Sequence, residues 1–499
     1  MFRRNLSKTI EDPLQLYLSG VSAWNSRLAS ESLLDFSSCD FSILEDKGLD
    51  FTGFKIPSGC LLCFSNVKFG KGVYDFSGLN VQTSRLEFDG ASFENADEVL
   101  FRDTKFGVLG ASFCKSKFGN GVVDFSHASF QGGNVSFNQS RFEGDAIFNN
   151  MKFHLSKVDF TDCEFSGNVS FVGTKFHRGR FDFQNVTVEG EHFNFCENDL
   201  EDCDSIFEFS KFRCNNATFV STWFRGKKTS FRNCEFDECN VYLNSIYSKG
   251  VFIFEPARVV GVNAIDMSSS LFDGVLSISG ISVPEVIDLR HSKLQCPIDL
   301  DKTKICHRSE VVDLKVIRRI SQVSAIFERF FSWFFIFKQA VSPDSSTCYR
   351  RLKKLAKEAE DHKSALDFFA KEMRSDYWRG ITGVRLFFFF LYDLFSDYGR
   401  SVLRPLLCLI FSFLIFGGGY WSLSDQPDVS FVSGLTLSMG HTIPFYPASR
   451  DAREDALVTL FGSAQQISDC VHVFAIIQDV VSSILIFLIA LALRNLYRT

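Results

Sequence analysis

The chain has 499 residues, with 53 Lys and Arg against 59 Asp and Glu and a formal net charge of -6. That near balance, with no basic stripe interleaved with aromatics, excludes a nucleic-acid binder driven by phosphate contacts. Its 15 cysteines are scattered, and Cys60 and Cys63 are followed by no second ligand pair, so no zinc site, other metal or cofactor is expected.

The opening "MFRRNLSKTIEDPLQLYLSG" is basic but has no apolar run behind its arginines, so it does not read as a secretory signal. Residues 1–32 read as a cap or lead-in. From Phe36 and Phe41, and above all from Phe64 to Phe236, a phenylalanine metre takes over, carrying most of the 59 Phe. Phe101, Phe106, Phe113, Phe118, Phe125, Phe130, Phe137 and Phe142 alternate a step of five with one of seven. The metre resumes at Phe148 after a one-residue slip and again from Phe207. The position two before each Phe is small or β-branched, as at Thr104, Ala111, Ser116, Val123, Ala128 and Ser140.

A period of about 11 to 12 fits neither an amphipathic helix nor an alternating strand. It fits a solenoid, in which each coil buries its apolar side only against its neighbours. Rings and small partners then stack as two inward-facing ladders, while "FGNG", "FEGD" and "FSGN" serve turns and solvent. Cys39, Cys163, Cys234 and Cys239 fall on the small position and read as buried free thiols, in keeping with a reducing compartment. Residues 43–63 are less regular. Residues 242–262, with "FIFEPARVVG", read as a bulge or inserted loop. The metre continues in smaller residues through Met267, Phe272, Ile278, Val283, Leu289, Leu294, Leu300 and Ile305.

On these residues the stretch 33–307 resembles the pentapeptide-repeat proteins, in its Phe-rich, membrane-attached variety. The resemblance implies a right-handed quadrilateral β-helix, with two of the present units to a coil. The one or two extra residues per unit depart from the plain five-residue face. The DNA-mimicking role of some acidic soluble members fits this mixed surface charge poorly.

Residues 308–399 read as amphipathic and membrane-surface helices. "VVDLKVIRRISQVSAIFERFFSWFFIF" is too charged at its start to span and suits a membrane-surface helix. Pro343 breaks the chain, and Ser345 or Ser346 is placed to cap a helix over 347–378. There Leu352, Leu355, Ala359, His362, Leu366, Phe369 and Met373 recur at spacings of three and four. Leu352, Leu355, Ala359, Leu366 and Phe369 are the candidate interface, either in a coiled coil between subunits or against the solenoid end. This segment is similar to the linker of membrane-attached pentapeptide-repeat proteins. "GVRLFFFFLYDLFSDYGRS" is short and ends polar, so it is expected in the membrane interface.

Residues 400–499 read as a transmembrane domain with spans at 403–421 and 471–493. Arg400 and Arg404 before the first span, and Arg494 and Arg498 after the second, place both termini on the cytoplasmic side. Gly417 to Gly419 precede Tyr420 and Trp421, aromatics expected at a water interface. The loop holds a re-entrant-like stretch at 430–445, then a helix for which Ser449 is the expected N-cap.

Two spans around such a stretch share the plan of the simplest ion channels, although "LSMGHTIPF" lacks the potassium selectivity run. Gly440, His441 and Thr442 in that stretch, and His472, Gln478, Asp479 and Ser482 in the second span, are candidate pore-lining or membrane-polar residues. A carboxylate as deep as Asp479 faces a bundle interior or water. Pore lining, helix packing and a proton-coupled role all remain open for it.

No nucleophile, base or phosphate loop stands out, so no enzyme is expected. The expected function is an oligomeric channel or pore-forming protein of the bacterial inner membrane. Its cytoplasmic solenoid would sense or assemble, and its partners would be the bilayer, further copies of the chain, ions, and a protein on the solenoid. The alternatives are a non-conducting membrane-anchored scaffold and a membrane-disrupting defence effector.

Overall fold

The computed structural model describes residues 12–27, 33–39, 41–44, 47–283, 285–307, 309–311, 338–379, 381–424, 426, 429–442, 448–462 and 468–497. The expected surface helix at 312–337 and the tip of the 430–445 stretch lie outside them. The chain divides into two compact units, Met1–Arg308 and Ser309–Thr499.

The first unit is a β-solenoid of about 11 turns. Its strands are mostly two or three residues long and pair only in parallel with the coil before and after, so Lys117–Phe118 pairs with Arg141–Phe142 and that with Glu164–Phe165. Parallel in-register pairing puts like residue on like, and the Phe metre therefore becomes ring stacking. The rings form four ladders. Phe88, Phe113, Phe137 and Phe160 stack at 5.3, 4.8 and 4.7 Å between ring centroids. Phe101, Phe125, Phe148 and Phe171 stack at 4.6, 5.5 and 4.7 Å. The five-step residues add Phe93 to Phe165 and Phe106 to Phe176. The first two ladders meet edge to face, as with Phe113 and Phe125 at 5.3 Å and 90°. Offset stacking along the axis and T-contacts across it are both favoured ring geometries.

The small position does more than fill space. In many coils the residue three after a ring is a Ser, Thr or Cys that donates to the carbonyl of the stacked residue one coil earlier. Thr104 reaches Phe76 O at 2.8 Å, Ser116 reaches Phe88 O at 2.7 Å, and Thr174 reaches Phe148 O at 2.7 Å. Cys163 and Cys234 do the same with their thiols, at 2.9 Å each, to Phe137 O and Phe207 O. Burial pushes both thiols above their ordinary range, as suits inert core groups. Cys39, in the same position, is half-buried. Cys239 instead lies 3.3 Å from Cys214, sulfur to sulfur.

Between ring and small residue the chain turns through a left-handed position. Asp103, Lys115, His127, Gln139, Asn150, Asp162 and Asn185 all have φ of 53–61°. At the opposite kind of corner the coils nearly touch. A Cβ on Gly167 would lie 2.4 Å from the backbone of Gly144, so "FEGD" and "FSGN" mark close approach as well as turns.

Residues 242–262 are no inserted loop. Val251–Ile253 and Arg258–Val260 pair in register with the coil before them, and Phe252, Phe254 and Val259 are buried. Rings at 181–200, outside the regular metre, also enter the core, with Phe181, Phe183, Phe193 and Phe195 buried and mostly tilted rather than stacked. In the same coils three strands lengthen to eight residues, Lys152–Asp159, Lys175–Asp182 and Asp199–Ile206. Met267, Phe272, Ile278, Val283, Leu289, Leu300 and Ile305 remain buried. Helices α1 (Pro13–Leu18) and α2 (Val21–Arg27) close the start, with Trp24 fully buried against Phe36, Phe51 and Phe54.

The second unit begins with an antiparallel strand pair, Ser309–Val311 and Lys338–Ala340. The single helix expected over 347–378 is two, α3 (Ser345–Glu358) and α4 (His362–Ser375). Glu360 at φ 60° turns the chain, and Asp361 caps α4 by accepting from Ser364 N at 2.9 Å. Neither Ser345 nor Ser346 caps α3, since Asp344 holds the N-cap position. The hairpin buries Leu352, Leu355, Ala356, Ala365 and Phe368, leaves Leu366 and Phe369 half-buried and exposes His362. Ala359 sits at the C-cap of α3. Glu372, nearly buried, is held by Arg350 and Lys353. Five further helices follow: α5 (Gly383–Ser396), α6 (Leu403–Ser422), α7 (Phe431–Thr442), α8 (Ala448–Phe461) and α9 (Asp469–Leu496).

The ring ladders should dominate solenoid stability. Phe137→Ala is expected to cost about 3–5 kcal/mol, read by denaturant unfolding of the full chain. A cost under about 1 kcal/mol would mean that Phe137 is not a core ring.

Candidate membrane core

Among the described residues, α6 and α9 are the two helices long and apolar enough to cross a membrane. Helix α7 runs antiparallel to α6 in close contact. A Cβ on Gly434 would lie 2.4 Å from Gly417 O and 3.0 Å from the Trp421 side chain, so the backbones touch there. One turn further on, Ser438 Oγ donates to Phe413 O at 2.8 Å. Phe413 is midway along α6, so α7 returns to the middle of the candidate span. Helix α8 then runs back. Its Leu460 O accepts from Ser424 Oγ at 2.8 Å, just beyond α6, and Leu460 and Phe461 pack with Tyr420 and Val471. Together α7 and α8 form a helical hairpin that enters and leaves from the same end of the span pair.

Helices satisfy their own backbone groups, which an irregular re-entrant loop does not. The 430–445 stretch is accordingly helical over 431–442. Ser449 is no N-cap, because α8 already begins at Ala448.

At half height the polar side chains meet. Gln478 Nε2 donates to Ser438 O at 2.9 Å, to Ser438 Oγ at 2.7 Å and to Thr442 Oγ1 at 3.2 Å. Next to it, His441 Nδ1 and Asp479 Oδ1 are 2.9 Å apart, with the His side chain 8% and the Asp side chain 42% exposed. The His441 ring stacks on buried Tyr420 at 5.9 Å. Tyr420 is thus a core residue and not an interface aromatic, whereas Trp421 is exposed and donates to Val429 O at 3.0 Å.

A cavity of about 260 Å³ opens beside this pair, lined by His441, Asp479, Tyr420, Arg453 and His472 among others. All four helices of the core thereby contribute a polar group to it. Gly440 and Thr442 are buried in α7, and His472 is exposed. Ser482 is buried, and its Oγ, like Gln478 Oε1, has no hydrogen-bond partner among the described residues. Of the residues singled out from sequence, Gln478, Asp479, His441 and Thr442 therefore come together. Ser438 and Arg453 were missed, as was the His441–Asp479 pairing.

Below this core an elbow joins α4, α5 and α6. Arg374 binds Asp393 and Asp397, Arg400 binds Asp367 and Asp397, and the Tyr377 and Tyr398 hydroxyls meet at 2.5 Å. Burial opposes the charge on Arg374, but Asp393 and then Asp397 outweigh it and hold the guanidinium above its ordinary value. Burial likewise acts to raise Asp397, and Arg400 followed by Arg374 overcomes this and keeps it below its ordinary 3.8.

Comparison of the chain with protein-family models, with curated proteins and with solved structures returns no match in any of the three. What the chain shows of itself is a Phe-stacked solenoid followed by helices, two of them apolar enough to span. That combination is compatible with a membrane-associated protein.

The depressed Asp397 stabilises the elbow fully above pH 3.8, and the contribution is lost as pH falls through its lower folded value. Melting of the helical unit should be flat from pH 8 to pH 5 on this account and fall below 3.8, and Asp397→Asn should flatten that fall. Arg374→Met strands the buried Asp393 charge and is expected to cost about 3–5 kcal/mol, measured by loss of helical circular dichroism in denaturant.

Proposed function

We propose that the chain is a subunit of an oligomeric membrane channel or pore, with a pentapeptide-repeat-like solenoid on the cytoplasmic side as its sensing or assembly body. The observation that carries this reading is the polar hairpin held at the depth of the spans. Arg453 lines the same cavity as Asp479 and His441, and the next residues, Glu454 and Asp455, are exposed on the single chain. Charged side chains at that depth are costly against lipid and stable against water or protein. One pair of spans cannot enclose water. Several copies arranged with α8 inward would give these residues an aqueous axis and give α6 and α9 the lipid.

The second reading is a membrane-anchored scaffold. It is favoured by Gln478, whose three contacts to α7 already lie within one chain and serve as helix packing. Particle mass in mild detergent separates the two, since a monomer supports the scaffold.

Ion flux into liposomes reconstituted with the purified protein tests conduction. The wild type should pass cations, and the Glu454→Gln/Asp455→Asn variant should lose about tenfold in cation-over-anion preference as the acidic field is removed. Asp479→Asn should lower flux by unsettling His441. Absence of flux from an assembled oligomer would overturn the channel reading.

A further inference from the structure

Beside α5, away from the polar hairpin, a second cavity of about 620 Å³ lies between α5, α6 and α9. Its walls include Leu391 of α5, Phe411 and Ile415 of α6, and Ile484 and Leu488 of α9. Two of these three helices are the candidate spans, so in a bilayer the groove faces hydrocarbon. Apolar side chains of α5 continue outward from it, with Val384, Phe387 and Phe388 all more than half exposed.

The groove is not apolar throughout. Ser412 lines it, is 9% exposed, and its Oγ has no hydrogen-bond partner among the described residues. Two guanidinium groups stand at the end near the elbow. Arg404 lies one helical turn before Cys408, a lining residue on the same face of α6. It is exposed, with Nη1 3.4 Å from Asp393 O. Arg494 is exposed at the last turn of α9. A Cβ on Gly399 would lie 2.9 Å from Asn495 Nδ2 and 3.2 Å from the hydroxyl of Tyr392, another lining residue, so the last turn of α9, which carries Arg494, ends at the groove mouth. The neighbouring carboxylates, Asp393 and Asp397, are already engaged by Arg374. A slot of hydrocarbon walls with two guanidinium groups at one end matches acyl chains joined to a phosphate, for which arginine is the suited partner.

We propose that this groove binds an anionic phospholipid from the leaflet nearest the start of α6, with acyl chain against Phe411 and Ile415 and phosphate at Arg404 and Arg494. The site rests on α6 and α9 spanning a membrane and not on conduction. It would fix α5 against the spans, giving the elbow a lipid-dependent stiffness.

The test uses the full chain reconstituted in vesicles of equal phosphatidylglycerol and phosphatidylcholine, re-extracted in mild detergent, with retained lipid measured by mass spectrometry. Phosphatidylglycerol should be enriched roughly twentyfold, since each basic residue at an anionic lipid surface is worth roughly fivefold. Arg404→Gln/Arg494→Gln should bring the two lipids to parity. Ser412→Trp and, separately, Ile415→Trp should fill the groove and expel both lipids at unchanged elution volume and circular dichroism. Should the filled variants misfold, the arginine double variant decides alone. Equal retention of both lipids by the wild type, or full retention by a well-folded filled variant, would overturn the proposal. So would disulfide trapping between copies through Cys408, which would put a second chain in the groove. A chain that stays soluble without detergent overturns the span reading and this site with it, whereas a detergent-requiring chain without lipid overturns the site alone.

Discussion

The hydrogen bond from a Ser, Thr or Cys side chain to the carbonyl one coil back sets the terms for the solenoid. A ring stack alone is slippery, since hydrophobic attraction has no direction. The side-chain donor inside the core has no water to turn to and bonds to the carbonyl one coil back, so each such bond helps to fix the register of two coils. Stacked rings supply the bulk of the stabilisation, at about 1.5–3 kcal/mol for each buried Phe. The short polar residue beside them says which Phe must lie over which. Ala91, Ala128 and Val186 occupy the same position without a donor, so the bond recurs in many coils and not in all.

The same requirement organises the helical core in a different geometry. Ser438, Thr442 and the Gln478 amide nitrogen bond to one another across α7 and α9 as the Ser–carbonyl pairs do across coils. Glycine at 417 and 434 brings α6 and α7 close enough for Ser438 to reach the α6 backbone, the close approach that small residues permit in membrane helices. Size and polarity therefore act in sequence: the small residue sets the distance, and the polar one uses it.

This division explains what could be read in advance. The Phe metre was legible because parallel pairing makes spatial neighbours of residues at a constant separation. The left-handed turn was not, because Lys115, His127 and Gln139 carry no mark of it, and the position is imposed by the coil. The α3–α4 break hid behind Glu360 and Asp361, residues at home on a helix surface, so four heptads of spacing read as one helix. His441 and Asp479 are 38 residues apart, beyond any local period. The signal available was chemical, because a deep carboxylate needs a partner and the short apolar stretch before it holds one histidine. Ser438 passed as a spacer, and nothing local tells an exposed serine from one aimed at a neighbouring helix.

The parallel ladders carry a consequence for how such a body changes length. Every coil offers the next the same groups it received, so the upper and lower faces of any coil are interchangeable with those of its neighbours. One residue gained or lost inside a step would turn the rings to solvent-facing positions in all later coils unless a corner absorbs it, as at the slip before Phe148. A whole coil duplicated in tandem meets no such conflict. Growth of the solenoid is thus quantised, and its height can be adjusted in units of one coil without altering the chemistry at either end.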